Sequence, residues 1–143
     1  MAHPLRASRR MPQEIADRKQ TILVADDHED TRVILRHYFE AMGYDVLEAQ
    51  DGEQALASMK VSHPHAVVLD IQMPRMDGIQ VLRAVREDGT LRGIRILALS
   101  AHALSDEVRQ IREAGADAYL AKPADPKAVL EAVRSLMDRD REG

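Results

Sequence analysis

Charged or hydroxyl-bearing residues directly follow four separate apolar runs of this chain. The runs are ILVA before Asp26 and Asp27, AVVL before Asp70, ILAL before Ser100 and AYLA before Lys122. Short runs rich in Val, Ile and Leu, without polar alternation, are typical of strands buried on both faces. Ligands of open α/β sheets bind outside the carboxyl ends of such strands. The pattern therefore predicts one site that holds three carboxylates, a hydroxyl and an ammonium.

Strand and helix patterns alternate five times along most of the chain. We predict strands near residues 21–26, 44–48, 65–70, 94–99 and 117–121. We predict helices near residues 29–42, 53–61, 78–87, 104–114 and 126–138. Strict alternation implies a parallel sheet with helices on both faces, which is an α/β fold. A length of 143 residues suits one such domain, which we place at 21–138, with a flexible basic arm at 1–20 and a short tail at 139–143.

Several predicted helices carry signals at their faces or ends. The first is predicted to end at Gly43, a C-cap glycine, after burying one face. That face consists of Leu35, Phe39 and Met42. Asp51 with Gln54 resembles a capping box for the second helix. Asp125 followed by Pro126 predicts an N-cap and a first helical residue for the fifth.

Charge is distributed unevenly along the sequence. Residues 1–20 hold five basic and two acidic residues, whereas residues 21–143 hold 15 basic and 22 acidic. An acidic body argues against a DNA-binding face, and the scarcity of aromatic residues argues against a surface that stacks single-stranded bases. We interpret the basic arm as a solvated extension, with contact to an acidic partner or nucleic acid as the alternative. The basic residues of the arm are Arg6, Arg9, Arg10, Arg18 and Lys19.

Composition also limits the location and the chemistry. No apolar run approaches the roughly 18 residues of a membrane span, so no membrane insertion is expected. The N-terminus has basic residues but lacks the apolar region of a secretory signal. The chain contains no cysteine, which excludes disulfides and thiolate metal sites and fits a cytoplasmic location.

The predicted cluster of carboxylates needs a counter-charge. Carboxylates gathered at one point repel each other, and burial adds a desolvation cost. A divalent cation relieves the conflict, and oxygen ligands favour Mg²⁺, Mn²⁺ or Ca²⁺ over zinc. Mg²⁺ keeps several waters, which leaves room for phosphate oxygens, and a carboxylate is a competent nucleophile toward a phosphoryl group. The residues therefore indicate phosphoryl chemistry assisted by a metal.

Between about Thr21 and Met137 the chain resembles the receiver domain of two-component response regulators. The resemblance rests on four segments in order, ILVADDHED, VVLDIQMPRMDG, LALSA and YLAKP. Ser100 lies 30 residues and Lys122 lies 52 residues after Asp70, spacings that are typical of receivers. The resemblance implies a flavodoxin-like (βα)5 fold, a doubly wound parallel sheet with strand order 2-1-3-4-5.

The resemblance also implies a role for each residue of the cluster. Asp70 would accept a phosphoryl group from a histidine kinase or a histidine phosphotransfer protein. Asp27 would bind Mg²⁺ directly, and Asp26 would do so directly or through water. Asp70 and the backbone carbonyl of Gln72 would complete the protein ligands, with Mn²⁺ as the alternative ion. Lys122 would bind a phosphoryl oxygen. Such a chain catalyses only its own phosphorylation and dephosphorylation and is otherwise not an enzyme.

A second group of positions would convert phosphorylation into a signal. By the resemblance, Ser100 would bind a phosphoryl oxygen and Tyr119 would then rotate inward. Gln72 and His102, two residues after Asp70 and Ser100, would tune the lifetime of the phosphoryl group. Pro123 would follow a cis peptide bond. The fourth helix, fifth strand and fifth helix would form the output face for a downstream protein target, or for a homodimer, of a single-domain regulator.

Some positions depart from the family pattern, and they leave alternatives open. Ser100 replaces the Thr of many receivers but keeps the hydroxyl, and Ala124 replaces a common Phe. An aspartyl phosphatase similar to the haloacid dehalogenases is one alternative, although such enzymes need a second Asp where this chain has Gln72. A receiver that binds partners without phosphorylation is another, and the full set of carboxylates and lysine argues against it. His28 is expected to be a surface residue rather than a metal ligand.

Overall fold

The computed structural model describes residues 19–102 and 104–142, with side chains through residue 139. The predicted arm at 1–20 therefore lies outside the described residues except for its last two positions. The described strands are β1 (Thr21–Ala25), β2 (Asp45–Ala49), β3 (Ala66–Asp70), β4 (Arg95–Ser100) and β5 (Ala118–Ala121). The described helices are α1 (Glu29–Ala41), α2 (Gly52–Ser62), α3 (Gly78–Glu87), α4 (Ser105–Ala114) and α5 (Pro126–Glu142).

The five strands form one parallel sheet in the order β2-β1-β3-β4-β5. This order confirms the predicted flavodoxin-like fold. Val24 of β1 pairs with Val68 of β3, and Asp70 at the end of β3 pairs with Leu99 of β4. The strand order reverses between β1 and β3, and crevices at such switch points are where α/β sheets bind their ligands.

The sheet separates two apolar cores. Leu23 of β1 faces one core, which α2, α3 and α4 cover. Ile22 and Val24 face the other core, which α1 and α5 cover. Every residue of β3 is buried, because this central strand has helices on both faces. The unbroken apolar runs of the sequence thus correspond to strands between two helical layers.

The predicted inner face of α1 is correct for two of its three residues. Leu35 and Phe39 are buried, but 45% of Met42 is exposed. Helix α1 ends at Ala41, and Met42 has a ψ angle of 5°, so its side chain no longer follows the helical stripe. Gly43 comes next with a φ angle of +99°, the left-handed conformation expected of a C-cap glycine.

Half of the predicted capping box at α2 is present. The Asp51 carboxylate accepts from the backbone N–H of Gln54 at 2.8 Å, but the Gln54 side chain accepts from the N–H of Gln50 rather than that of Asp51. A complete capping box begins α3 instead, where Asp77 and Gln80 exchange both hydrogen bonds. The D-x-x-Q pattern of residues 77–80 contains this signal.

Helix α5 is longer than predicted. It begins after Asp125, whose carboxylate accepts from the N–H of Lys127 at 2.9 Å. It continues to Glu142, four residues beyond the predicted end at 138, because no Gly or Pro interrupts that stretch. Of the helices that the structure describes, none combines the length and the apolar character needed to span a membrane.

Candidate functional site

Three carboxylates meet at the carboxyl edge of the sheet. Asp26 follows β1, and Asp70 ends the neighbouring strand β3. Both side chains are only 2% exposed, whereas the Asp27 side chain is 33% exposed. Ligand atoms of Asp26, Asp27, Asp70 and His28 all lie within 4.8 Å of one another. The structure thus brings together the three acids that the sequence pattern predicts.

Lys122 is the ammonium of this cluster. It follows β5, and its Nζ lies 3.0 Å from Asp26 Oδ2 and 3.2 Å from Asp70 Oδ2. One ammonium between two of three carboxylates leaves the cluster with a net negative charge. A cluster of oxygen ligands with excess negative charge is suited to a hard divalent cation.

His28 is exposed, as expected, yet it contacts the cluster. Its backbone N–H donates to Asp26 Oδ1 at 2.8 Å. Its Nδ1 lies 3.1 Å from Asp26 Oδ1 and 3.2 Å from Asp27 Oδ1, although 68% of the side chain is open to solvent. In the sequence, this contact is indicated only by the position of His28 directly after the acidic pair.

The surroundings of Asp70 bring its pKa closer to neutral pH. Burial, and then the charge of Asp26, raise the pKa of Asp70 from 3.8 to about 6, against the lowering effects of Lys122 and the Gln72 N–H. Burial alone would lower the pKa of Lys122, but the hydrogen bond to Asp26 and the charge of Asp70 raise it above its ordinary value. At pH 7 Asp70 is therefore mostly ionised and Lys122 is charged.

The β3–α3 loop packs tightly under Asp70. The N–H of Gly78 donates to the carbonyl of Ile71 at 2.9 Å. A Cβ on Gly78 would lie 2.7 Å from both the Asp70 carbonyl oxygen and the Ile71 Cα. A glycine is required here because any side chain would push the loop away from the end of β3. In the same loop, the N–H of Gln72 donates to Asp70 Oδ1 at 3.2 Å.

Ser100 ends β4 and is fully buried, but its hydroxyl is turned to α4 rather than to the carboxylates. Its Oγ donates to the carboxylate of Glu107 and accepts from the N–H of His102 at 3.1 Å. Sequence reasoning missed Glu107, because a helix residue carries no strand-end signal. His102 Nδ1 in turn lies 3.4 Å from Gln72 Nε2, so the two predicted lifetime positions are neighbours.

Tyr119 and Pro123 lie on and after the edge strand β5. Tyr119 pairs with Ala98 in register and packs, partly buried, against the core that α2, α3 and α4 cover. Its hydroxyl is buried and has no hydrogen-bond partner within the described residues. The peptide bond between Lys122 and Pro123 is cis, the form that the resemblance implies.

Comparison with protein families identifies this arrangement. The family model described as "Response regulator receiver domain" matches residues 22–134. The chain belongs to the response regulator receiver domain family. The match includes β1 from Ile22 onward, the other four strands and each of the predicted site residues.

Curated relatives of this receiver domain include longer and shorter proteins. It is 41% identical over 121 residues to the probable transcriptional regulator ycf27 of Porphyridium aerugineum, covering 85% of this chain and 49% of the relative. The chain thus spans about half the length of the first curated relatives that it matches. It is 29% identical over 118 residues to the polar-differentiation response regulator DivK of Brucella ovis, covering 82% of this chain and 96% of the relative.

Solved receiver structures superpose closely on this receiver domain. A CheY-like response regulator receiver domain protein from Methanospirillum hungatei is 26% identical, with a TM-score of 0.82 over 88% of this chain and all of the other. The receiver domain of the sensor histidine kinase PA1611 from Pseudomonas aeruginosa, described with a magnesium ion in its active-site cleft, is 27% identical. Its TM-score is 0.78 over 85% of this chain and 99% of the other.

In this receiver domain the site residues form two groups. Ligand atoms of Asp26, Asp27 and Asp70 lie within 4.8 Å of one another at the carboxyl edge of the sheet, and Lys122 contacts Asp26 and Asp70. Ser100 ends β4, the strand next to β3, and its hydroxyl is hydrogen-bonded to Glu107 of α4. An open cleft, lined in part by Asp27, Gln72, Asp77 and Glu107, lies beside the acids.

Proposed function

We propose that this receiver domain accepts a phosphoryl group on Asp70 from a histidine kinase or a histidine phosphotransfer protein, in a reaction that requires Mg²⁺. The observation that carries the proposal is the position of Asp70. Its carboxylate ends a buried strand, 3.2 Å from the Lys122 ammonium and within a group of acids that can hold a cation. Family membership supports the same reaction.

The transfer needs little acid–base chemistry from the protein. A carboxylate oxygen of Asp70 attacks the phosphorus of a phosphohistidine; a P–O bond forms, the P–N bond breaks, and the imidazole nitrogen leaves with the electron pair. The product is an acyl phosphate on Asp70. Lys122 stabilises the charge on the phosphoryl oxygens, and positioning supplies most of the remaining acceleration. A pKa of about 6 keeps Asp70 ionised, and thus nucleophilic, at neutral pH.

The acidic cluster fits a magnesium ion. Its ligands are carboxylate oxygens that lie within 4.8 Å of one another, and the charge of Asp26 raises the pKa of Asp70, which shows that the acids repel. Asp26, Asp27, Asp70 and the Gln72 carbonyl would hold the ion, with Mn²⁺ as the alternative. When bound, the ion neutralises charge on the phosphoryl oxygens.

The output of the domain is proposed to be a change at the face formed by α4, β5 and α5. Ser100 would move to the phosphoryl group, and Tyr119 would change its rotamer. The Tyr119 hydroxyl supports this movement. It has no hydrogen-bond partner among the described residues, so rotation of the ring breaks no hydrogen bond. A downstream protein would read the altered face, which could also pair two copies of the chain. Phosphorylation would thereby shift a pre-existing equilibrium.

An apolar groove beside the site supports delivery of the phosphoryl group by a protein. It runs between α1 and the segment that joins β5 to α5, next to Lys122. Ile34, on the exposed side of α1, is 56% exposed at this groove. A helix of the donor protein that covered Ile34 and the neighbouring Pro123 would hold its phosphohistidine close to Asp70.

A direct test is intact-mass measurement after incubation with acetyl phosphate and Mg²⁺. We expect the wild-type protein to gain one phosphoryl group, and the gain to disappear in Asp70→Asn and in the presence of EDTA. Asp45→Asn is the matched control, because Asp45 is exposed at the opposite end of the sheet. Absence of any gain in the wild-type protein, or a gain that persists in Asp70→Asn, would contradict the proposal.

The same material separates the receiver from a phosphatase. A phosphatase would hydrolyse a generic phosphate ester over many turnovers, and this activity would depend on Asp70. We expect no such turnover, because Gln72 stands where haloacid-dehalogenase-like enzymes need their acid. Sustained release of phosphate from p-nitrophenyl phosphate by the wild-type protein, absent in Asp70→Asn, would favour the enzyme instead.

A further inference from the structure

The hydroxyl of Ser100 is committed to a partner outside the carboxylate cluster. Ser100 is fully buried, and its Oγ contacts the carboxylate of Glu107 and, at 3.2 Å, the carbonyl oxygen of His102. A hydroxyl has one proton to donate, and a carboxylate is a stronger acceptor than a neutral carbonyl. Glu107 is therefore the acceptor that holds Ser100 in this structure.

Glu107 uses its carboxylate for this contact instead of capping its own helix. The N-cap of α4 is Leu104, which makes no side-chain cap hydrogen bond. Glu107 comes three residues later, the position from which an acidic side chain can reach back to the N-cap N–H. The first turn of α4 also has little packing, since Leu104 is 73% exposed and Ile111 is the first fully buried residue of the helix. The hydrogen bond to Ser100 is thus a polar tether between this turn and β4.

The Glu107 carboxylate also borders the cleft beside the proposed phosphorylation site. It lines that cleft together with Asp27 and Gln72. Its Oε2 lies 3.8 Å from Nδ1 of His102, which contacts Gln72 in turn. A phosphoryl group on Asp70 would place further negative charge in this region, and like charges in a partly buried cleft repel.

We propose that Glu107 is a latch that holds Ser100 in the unphosphorylated protein, and that phosphorylation of Asp70 opens the latch and frees the first turn of α4. The inference rests on the proposed function. Glu107 and the phosphoryl group compete for the single Ser100 proton, so one contact forms as the other breaks. Because α4 begins the proposed output face, release of its first turn carries the signal to that face. Glu107 acts through Ser100 and is a positioning residue.

The first test measures the affinity for beryllofluoride, a stable analogue of the phosphoryl group, by calorimetry in Mg²⁺. We expect Glu107→Ala to bind roughly fivefold to tenfold more tightly than the wild-type protein, because no latch has to be broken. Glu107→Gln should fall between them, since its amide oxygen can still accept the Ser100 proton. Asp106→Asn is the control: it removes the same charge from the same turn, but Asp106 is 79% exposed and pairs with Arg109. Its affinity should stay within about twofold of wild type.

A double-mutant comparison separates the latch from simple charge repulsion. In the Ser100→Ala background the latch has no partner, so adding Glu107→Ala should change the affinity less than about twofold. If the full gain persists in that background, Glu107 acts by charge alone and the latch is overturned. Unchanged or weaker binding by Glu107→Ala would overturn it as well.

A second measurement needs no phosphoryl group. In the unliganded protein, amide hydrogen exchange at Val108 and the residues that follow it, whose N–H groups donate to carbonyls of the first turn of α4, should be several-fold faster in Glu107→Ala than in wild type or Asp106→Asn. Equal protection in all three would contradict the latch even if Asp70 is phosphorylated normally. Failure of the wild-type protein to take up either acetyl phosphate or beryllofluoride would instead count against the proposed function, so the two failures are distinguishable.

Discussion

Replacing Asp70 with Asn should stabilise the fold, and the gain should depend on pH. The pKa of this carboxyl rises from 3.8 to about 6 on folding, mainly because of burial and then the charge of Asp26. That rise corresponds to about 3 kcal/mol of unfavourable free energy for the ionised folded state. An amide has no charge to bury, so Asp70→Asn escapes this cost.

The sign follows from the proton that each state holds. Between pH 3.8 and about 6 the unfolded chain has released the Asp70 proton while the folded protein keeps it, so folded-state stability falls as the pH rises. The cost is absent below pH 3.8 and complete above about pH 6. The free energy of unfolding of Asp70→Asn should therefore exceed that of wild type by up to about 3 kcal/mol at pH 7, and the two should converge toward pH 4.

Urea unfolding between pH 4 and pH 8, in EDTA, measures this difference. A gap of about 3 kcal/mol corresponds to a midpoint shift of roughly 1–2 M urea for a domain of this size. Asp45→Asn supplies the control, because its difference from wild type should be small at every pH. Saturating Mg²⁺ should narrow the gap, since the ion stabilises the ionised wild-type cluster. A difference that stays constant across pH, or an Asp70→Asn variant less stable than wild type at pH 7, would contradict this prediction.

Two further substitutions test the packing of the loop beneath Asp70 and the hydrogen bonds made by Arg86. Gly78→Ala should lower the free energy of unfolding by about 2–4 kcal/mol and slow phosphorylation by acetyl phosphate, because its Cβ would lie 2.7 Å from the Asp70 carbonyl oxygen. Gly93→Ala is the control, because a Cβ on Gly93 would have nothing within 4 Å; it should change neither stability nor phosphorylation. Equal effects of Gly78→Ala and Gly93→Ala would contradict this explanation. Arg86→Met should cost about 3 kcal/mol in urea unfolding, because Arg86 donates to three backbone carbonyls and to Asp117. Phosphorylation of folded Arg86→Met should match wild type, and a selective loss of phosphorylation would contradict a purely structural role.

Local patterns predicted most elements, and their failures have local causes. The face of α1 was predicted to include Met42, but the chain leaves the helix one residue earlier and Met42 turns to solvent. The capping box was assigned to Asp51, whereas the complete one belongs to Asp77. In both cases the residue pattern is present, and the backbone conformation decides whether the side chain makes the expected contact.

The candidate site was predictable in its members but not in its contacts. Residues that follow buried strands must come to one edge of a parallel sheet, so the cluster of acids followed from the sequence. The contact between Lys122 Nζ and Asp26 joins positions 96 residues apart, and its 3.0 Å distance depends on the order of strands in the sheet. The Glu107 contact with Ser100 was not predicted, because it depends on how the first turn of α4 sits above β4.

The alternation of strands and helices and the chemical groups at the strand ends could be predicted from the residues alone, because burial on both faces leaves a direct imprint on composition. Which of these groups form hydrogen bonds and ion pairs depends on the three-dimensional arrangement. It gives Asp70 a pKa of about 6 and turns Ser100 toward Glu107. The physical reason is that hydrogen bonds and electrostatic energies depend on distances and burial between residues far apart in the chain, which a linear pattern does not contain.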